Sequence, residues 1–108
     1  MHLRPEIYEK WEEALKHRGN AEKLSKEGKL LEAEIEANMS LLLGIQTIIE
    51  LSKEPEMHDL SAIAGNALQE CLERSEKHYT PKERIEQADR ALKRLFDEIP
   101  PDIIRPLR

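Results

Sequence analysis

At 108 residues, 39% of them hydrophobic and 36% charged, the chain has the size of one compact domain with little room for a second fold beside it. Its formal charge of -5 offers polyanions no electrostatic reservoir, which argues against generic DNA or RNA binding, and no apolar run approaches the roughly 20 residues needed to span a bilayer. Cys71 is the only cysteine, which excludes an internal disulfide and a thiolate-rich zinc site; with no apolar signal-peptide core at Met1-His2-Leu3-Arg4-Pro5, a cytoplasmic location is expected.

Valine is absent and aromatic residues are few, while leucine, isoleucine, alanine, glutamate and lysine dominate. Strands favour β-branched and aromatic side chains, whereas unbranched side chains lose little rotamer freedom in helices, so an all-α domain without a sheet is expected. No apolar/polar alternation flanked by Asn-Gly or Asp-Gly marks a hairpin.

A first helix is expected from Pro5 to a point between Arg18 and Glu27, with Ile7, Trp11, Ala14 and Leu15 on one side. Gly19-Asn20 weakens that pattern, and only Ala21 and Leu24 carry it on. Gly28 and Pro55 bracket a second helix from about Lys29 to Lys53, which at 1.5 Å per residue is roughly 37 Å long. On it, Leu41, Leu42, Ile45, Ile48, Ile49 and Leu51 occupy about half the circumference, too wide a band for a single neighbour. Asp59 can cap a third helix whose face comprises Leu60, Ile63, Ala64, Ala67, Leu68, Cys71 and Leu72, ending near Lys77. Thr80-Pro81-Lys82-Glu83 then supplies a hydroxyl cap, a proline at the first helical position and a glutamate to close a capping box. From Pro81 onward Ile85, Ala88, Leu92, Leu95 and Ile99 recur at helical steps, widened by Ala91 and Phe96, until Pro100-Pro101 ends the fourth helix.

Short connections around these breaks make consecutive helices antiparallel neighbours. The expectation is an antiparallel up-down four-helix bundle, three long helices plus the N-terminal one, as a single domain over 1–108 with an extended proline-containing tail over 100–108. Ile45, Ile49, Leu68, Leu72, Leu92 and Leu95 lie at the centres of the apolar stripes and are expected among the most buried residues.

Little in the sequence points to catalysis. A carboxylate-bridged metal bundle needs Glu-x-x-His pairs; Ala14, Pro55 and Ser75 stand three before His17, His58 and His78, and no metal or other cofactor is expected. Glu13 and His17 are four apart, a spacing that could share a surface ion but that a solvated helix face explains. Cys71 falls mid-helix on an apolar face, where a thiol packs rather than reacts. The glycines at 19, 28, 44 and 65 form no phosphate loop. Gly44 and Gly65 each cost a helix interior about 1 kcal/mol relative to alanine, which points to close approach of the second and third helices, or to a partner docked over the bare spot. Arg74 and His78 loosely resemble the Arg-x-x-x-x-His of helical ribonucleases of the nucleotide-binding-partner type, with three residues between them instead of four.

The acidic excess belongs to residues 1–60, and Glu6, Glu9, Glu12, Glu13, Glu32, Glu34 and Glu36 either face a basic partner or simply solvate their helices. Two features call for something more. Met39 and Leu43 fall on the far side of the second helix from its main apolar arc, and the tail carries Ile103, Ile104 and Leu107 between prolines that hold it extended. Either the tail packs back over Met39 and Leu43, or these five residues form a partner-binding surface.

Ile48-Ile49-Glu50-Leu51, twelve residues before Ile63-Ala64-Gly65-Asn66-Ala67-Leu68, resembles the helix 2 to helix 3 passage of the flagellin-type secretion chaperones, small cytosolic antiparallel helical bundles. The resemblance covers about residues 21–96 and implies a non-enzymatic protein that holds helical segments of an export substrate along grooves on its surface. The chain departs from that family in a shorter third helix and in Gln69-Glu70-Cys71, where the family has a tyrosine-rich stretch.

The expected function is therefore a non-enzymatic protein–protein interaction module, an adaptor or chaperone-like binder of a helical or apolar protein segment, with no nucleic-acid or membrane partner and with a homodimer possible. Two alternatives stand beside it: a small acidic viral or plasmid-borne inhibitor of a host protein, and a small helical ribonuclease using Arg74 and His78.

Overall fold

Four helices make up the protein, seen here in a computed structural model that describes residues 5–53, 59–75 and 79–98. They are α1 (Pro5–Lys26), α2 (Leu30–Leu51), α3 (Leu60–Ser75) and α4 (Pro81–Glu98), and no strand occurs among the described residues. α1 runs unbroken through Gly19-Asn20, because Ala21 is buried beyond the glycine and Leu24 packs on the same core.

The turn from α1 into α2 is set by Gly28, whose φ of 79° lies in the left-handed region that costs glycine little. There the Lys29 amide donates to the Leu24 carbonyl at 3.0 Å and the Gly28 amide to Ser25 at 3.1 Å, a Schellman motif that reverses the chain within two residues. The capping box before α4 also forms: the Thr80 hydroxyl accepts from the Glu83 amide at 3.2 Å, and the Glu83 carboxylate accepts from the Thr80 amide at 3.1 Å. Hydrogen bonding to Thr80, first from its amide and then from its side chain, holds the Glu83 carboxyl below its ordinary pKa.

α2 is the central element. It packs most extensively on α1, then on α4, then on α3, while α1 and α4 barely meet. Ile7, Trp11, Leu41, Ile45, Ile48, Leu51, Leu60, Leu92 and Leu95 belong to one continuous core to which all four helices contribute. The buried Ser40 hydroxyl donates to the Ala14 carbonyl at 2.6 Å, joining α1 to α2 without leaving a polar group unmet. α2 and α4 run in the same direction, so that Glu34 meets Arg84 near their starts and Gly44 meets Leu92 further along.

Three of the six expected core centres hold: Ile45, Leu92 and Leu95 are buried. Ile49, Leu68 and Leu72 are exposed instead, because α2 and α3 are apolar over wider sectors than their neighbours cover. α3 is buried along Leu60, Ala64 and Ala67 and leaves the Leu68–Leu72 edge of its apolar face uncovered. The tight spot at Gly44 faces α4 rather than α3, since a Cβ there would lie 2.6 Å from Leu92 Cδ1. Gly65 has no such reason: a Cβ there would meet nothing within 4 Å.

Candidate interaction surface

Five large apolar side chains on α2 point to solvent: Leu31, Ile35, Met39, Leu42 and Ile49. At 100° per residue they fall within one sector about 80° wide, a stripe roughly 27 Å long. Leu68 and Leu72 continue this surface onto α3, where Gly65 and Ser61 lie one and two turns before Leu68 on the same exposed line. Leu31 and Leu72 are 71% and 61% exposed, and the other five lie between 38% and 55%. Together these side chains leave on the order of 700 Å² in contact with water, above the roughly 300–600 Å² of the largest apolar patch on an ordinary monomer.

Between the two helices runs a groove of about 350 Å³, in which Leu42 and Leu68 join Leu41, Ile45 and Cys71, with Glu34, Asn38 and Arg84 also on its wall. Cys71 packs against the core as a small apolar side chain. The charges beside the groove are already matched within the chain. Arg84 Nη2 donates to Glu34 Oε2 at 3.1 Å, its Nε donates to Glu34 Oε1, and its Nη1 donates to the Tyr79 carbonyl at 2.5 Å. The bond to Glu34 raises the guanidinium pKa further above its ordinary value. Arg94 grips both oxygens of Glu70 at 2.9 and 2.6 Å.

Of the five residues expected to bind a partner, the structure places two. Met39 lies in the middle of the exposed stripe. Leu43 is half-buried and turned toward α1, where it lines a shallow depression of about 490 Å³ ringed by Glu6, Glu9, Glu12, Glu13, Lys10 and Lys16. The two lie one turn apart on α2, Met39 exposed and Leu43 half-covered at its edge. Ile103, Ile104 and Leu107 lie outside the described residues, as do His78 and the side chain of Arg74. Sequence reasoning missed Leu31, Ile35, Leu68 and Leu72; Leu31 and Ile35 repeat at the same four-residue step as Met39, and that extension of the stripe is visible in the sequence.

No metal centre stands beside this surface among the described residues. His17 Nδ1 hydrogen-bonds Glu36 across the α1–α2 contact and its Nε2 lies 3.7 Å from Glu13, yet no group of three or more His, Cys, Asp or Glu side chains is arranged to hold a metal. A cleft of about 340 Å³ between α1 and α4 is bridged by Arg18 Nε donating to Asp89 at 2.7 Å, with Lys93 Nζ 3.3 Å from the other carboxylate oxygen. Burial raises the Asp89 carboxyl, but hydrogen bonds and charge from Arg18 and Lys93 outweigh it and hold the carboxyl below the usual aspartate value. Among the described residues, no helix is long and apolar enough to cross a membrane. No protein-family model, curated protein or solved structure matches the chain.

Proposed function

We propose that this protein is a non-enzymatic helix-binding module that receives an amphipathic helix along the α2–α3 face. The observation that carries the reading is the continuous row of exposed leucine, isoleucine and methionine side chains on α2, bordered by Leu68 and Leu72 of α3. A helix laid between two others presents its own apolar residues at three- and four-residue steps, the repeat that this row follows. Because Glu34, Arg84, Glu70 and Arg94 already satisfy one another, the face selects its partner by shape and apolar character rather than by charge. A secretion-chaperone or adaptor role fits that chemistry.

The test uses a fluorescent, charge-neutral peptide with leucines at successive three- and four-residue steps and glutamines elsewhere. Binding that changes little with salt, and that falls by about tenfold or more in Leu68→Glu and Leu72→Glu, supports the reading. A peptide that does not bind sinks it. Capture of a basic protein that weakens steeply with salt and is abolished by charge reversal at Glu9, Glu12 and Glu13 moves the function to the acidic depression on α1 and to the inhibitor reading.

A further inference from the structure

Five exposed residues of α2 stand symmetrically about Leu42, while Met39 and Leu31 of the stripe have as counterparts Ile45, which is buried, and Lys53. Ile35 stands seven residues before Leu42 and Ile49 seven after it; the amides Asn38 and Gln46 stand four before and four after. All five are exposed, and between Leu31 and Ile49 the stripe carries no charged residue. A row that reads apolar, amide, apolar, amide, apolar in both directions is what a two-fold interface requires, since residue i of one copy must meet j of the other while j meets i.

We infer that the α2 stripe pairs antiparallel with the same stripe of a second copy, about a two-fold axis through Leu42. This inference rests on reading the α2–α3 face as a helix-binding surface, and it names the helix. In that register Leu42 meets its own counterpart, Ile35 lies against the second copy's Ile49, and Asn38 lies against the second copy's Gln46, twice over. Asn38 and Gln46 each carry both a donor and an acceptor, so the two amides satisfy one another as the interface dries. Leu68 and Leu72 flank α2 and cover the side of the incoming helix, and Gly65 on the same line leaves room for its backbone, which gives that glycine the packing reason it lacks within one chain.

Area and charge agree with this occupant. Each copy brings on the order of 700 Å² of apolar side chain, close to the ~800 Å² per partner of a standard interface. In this register Glu34 comes level with the second copy's Glu50, but each is paired within its own copy, Glu34 with Arg84 and Glu50 with Lys53, and the row from Ile35 to Ile49 that meets its counterpart is uncharged. A lipid surface is the poorer occupant, since it favours cations around an apolar stripe and this stripe has none between its ends.

Sedimentation equilibrium on the full chain tests the proposal. The chain is expected to be dimeric at micromolar concentration, and Leu42→Glu to be monomeric with its helical circular dichroism and melting temperature retained. Asn38→Lys alone is expected to weaken the dimer, and adding Gln46→Glu to restore it. The two positions are eight residues apart in one helix and cannot touch there, so recovery reports a cation of one copy facing an anion of the other. A chain that is monomeric throughout overturns the proposal, as does a dimer that survives Leu42→Glu or a charge pair that fails to recover. Binding of the unchanged chain to neutral phosphatidylcholine vesicles, lost in Leu42→Glu, overturns it in favour of a lipid occupant. A monomeric chain that still binds the leucine–glutamine peptide loses the dimer and keeps the helix-binding face; one that does neither loses both.

Discussion

Leu92 of α4 seats a methyl group against the bare backbone of Gly44 in α2, with Cδ1 2.6 Å from where a Cβ would stand and Leu95 Cδ1 at 3.5 Å. Leu92 is buried, so it has little space into which to withdraw. Gly44→Ala gains about 1 kcal/mol of helix propensity and loses about 1–3 kcal/mol to overpacking, so a net loss is expected. Gly65→Ala meets open space and is expected to raise stability by about 1 kcal/mol. Chemical denaturation of the two variants at a concentration where both are monomeric checks the opposite signs; equal shifts mean that α2 and α4 do not approach at Gly44.

Leu68 and Leu92 both stood on apolar stripes in the sequence, yet only Leu92 is enclosed. Leu92→Ala is expected to cost about 2–5 kcal/mol, since the cavity it leaves is walled by core residues. Leu68→Ala, with 45% of that residue already exposed, is expected to cost about 1 kcal/mol or less. Thermal melts of the two variants separate them, and a Leu68→Ala loss as large as that of Leu92→Ala contradicts the packing of α3.

The contrast between those leucines marks how far the sequence could be read. Local features were legible: the Thr80 and Glu83 box depends on a three-residue spacing, and the Gly28 turn on one residue's backbone freedom. The apolar sectors of α2 and α3 were legible too, but not which part of each stays wet. That depends on where α1 and α4 come to rest, and these meet α2 at Ser40 and Gly44, leaving Leu42 and Ile49 bare. A helix apolar over more than its neighbours can cover does not announce which edge is spare. Met39, on the far side of α2 from its main apolar arc, is exposed, while Leu43, one turn on, is half-covered beside the glutamates of α1.

Thr80→Ala removes the acceptor for the Glu83 amide together with one exposed methyl group, so a loss of about 1 kcal/mol is expected, most of it from the lost cap. Thr80→Ser keeps the oxygen and is expected to stay close to the parent. Urea denaturation of both variants is the measurement, and an equal loss in the two would show that the methyl group, not the cap, matters.

Asp89 gives the fold a dependence on acid. Its carboxylate takes Arg18 from α1 and Lys93 from its own helix, in a cleft that Glu22, Lys26 and Glu86 also line, and its pKa is held below the ordinary value in the folded chain. A depressed folded pKa means that the unfolded chain binds the proton first. The stabilisation from Asp89 is then complete above the unfolded value of about 3.9 and is lost as pH falls from there through the folded value. Asp89→Asn removes the ionisable group and leaves Arg18 with a neutral acceptor. The variant is expected to be less stable than the parent at pH 7, with the gap closing as pH drops below about 4. Arg18→Ala is expected to narrow the same gap at pH 7, because Asp89 then has only Lys93 to hold its charge. Melting temperatures of the parent and both variants across acid pH decide it: a gap between the parent and Asp89→Asn that stays constant into the acid range would mean that the Asp89 pKa is the same folded and unfolded, and that the bridge across the α1–α4 cleft contributes nothing to stability.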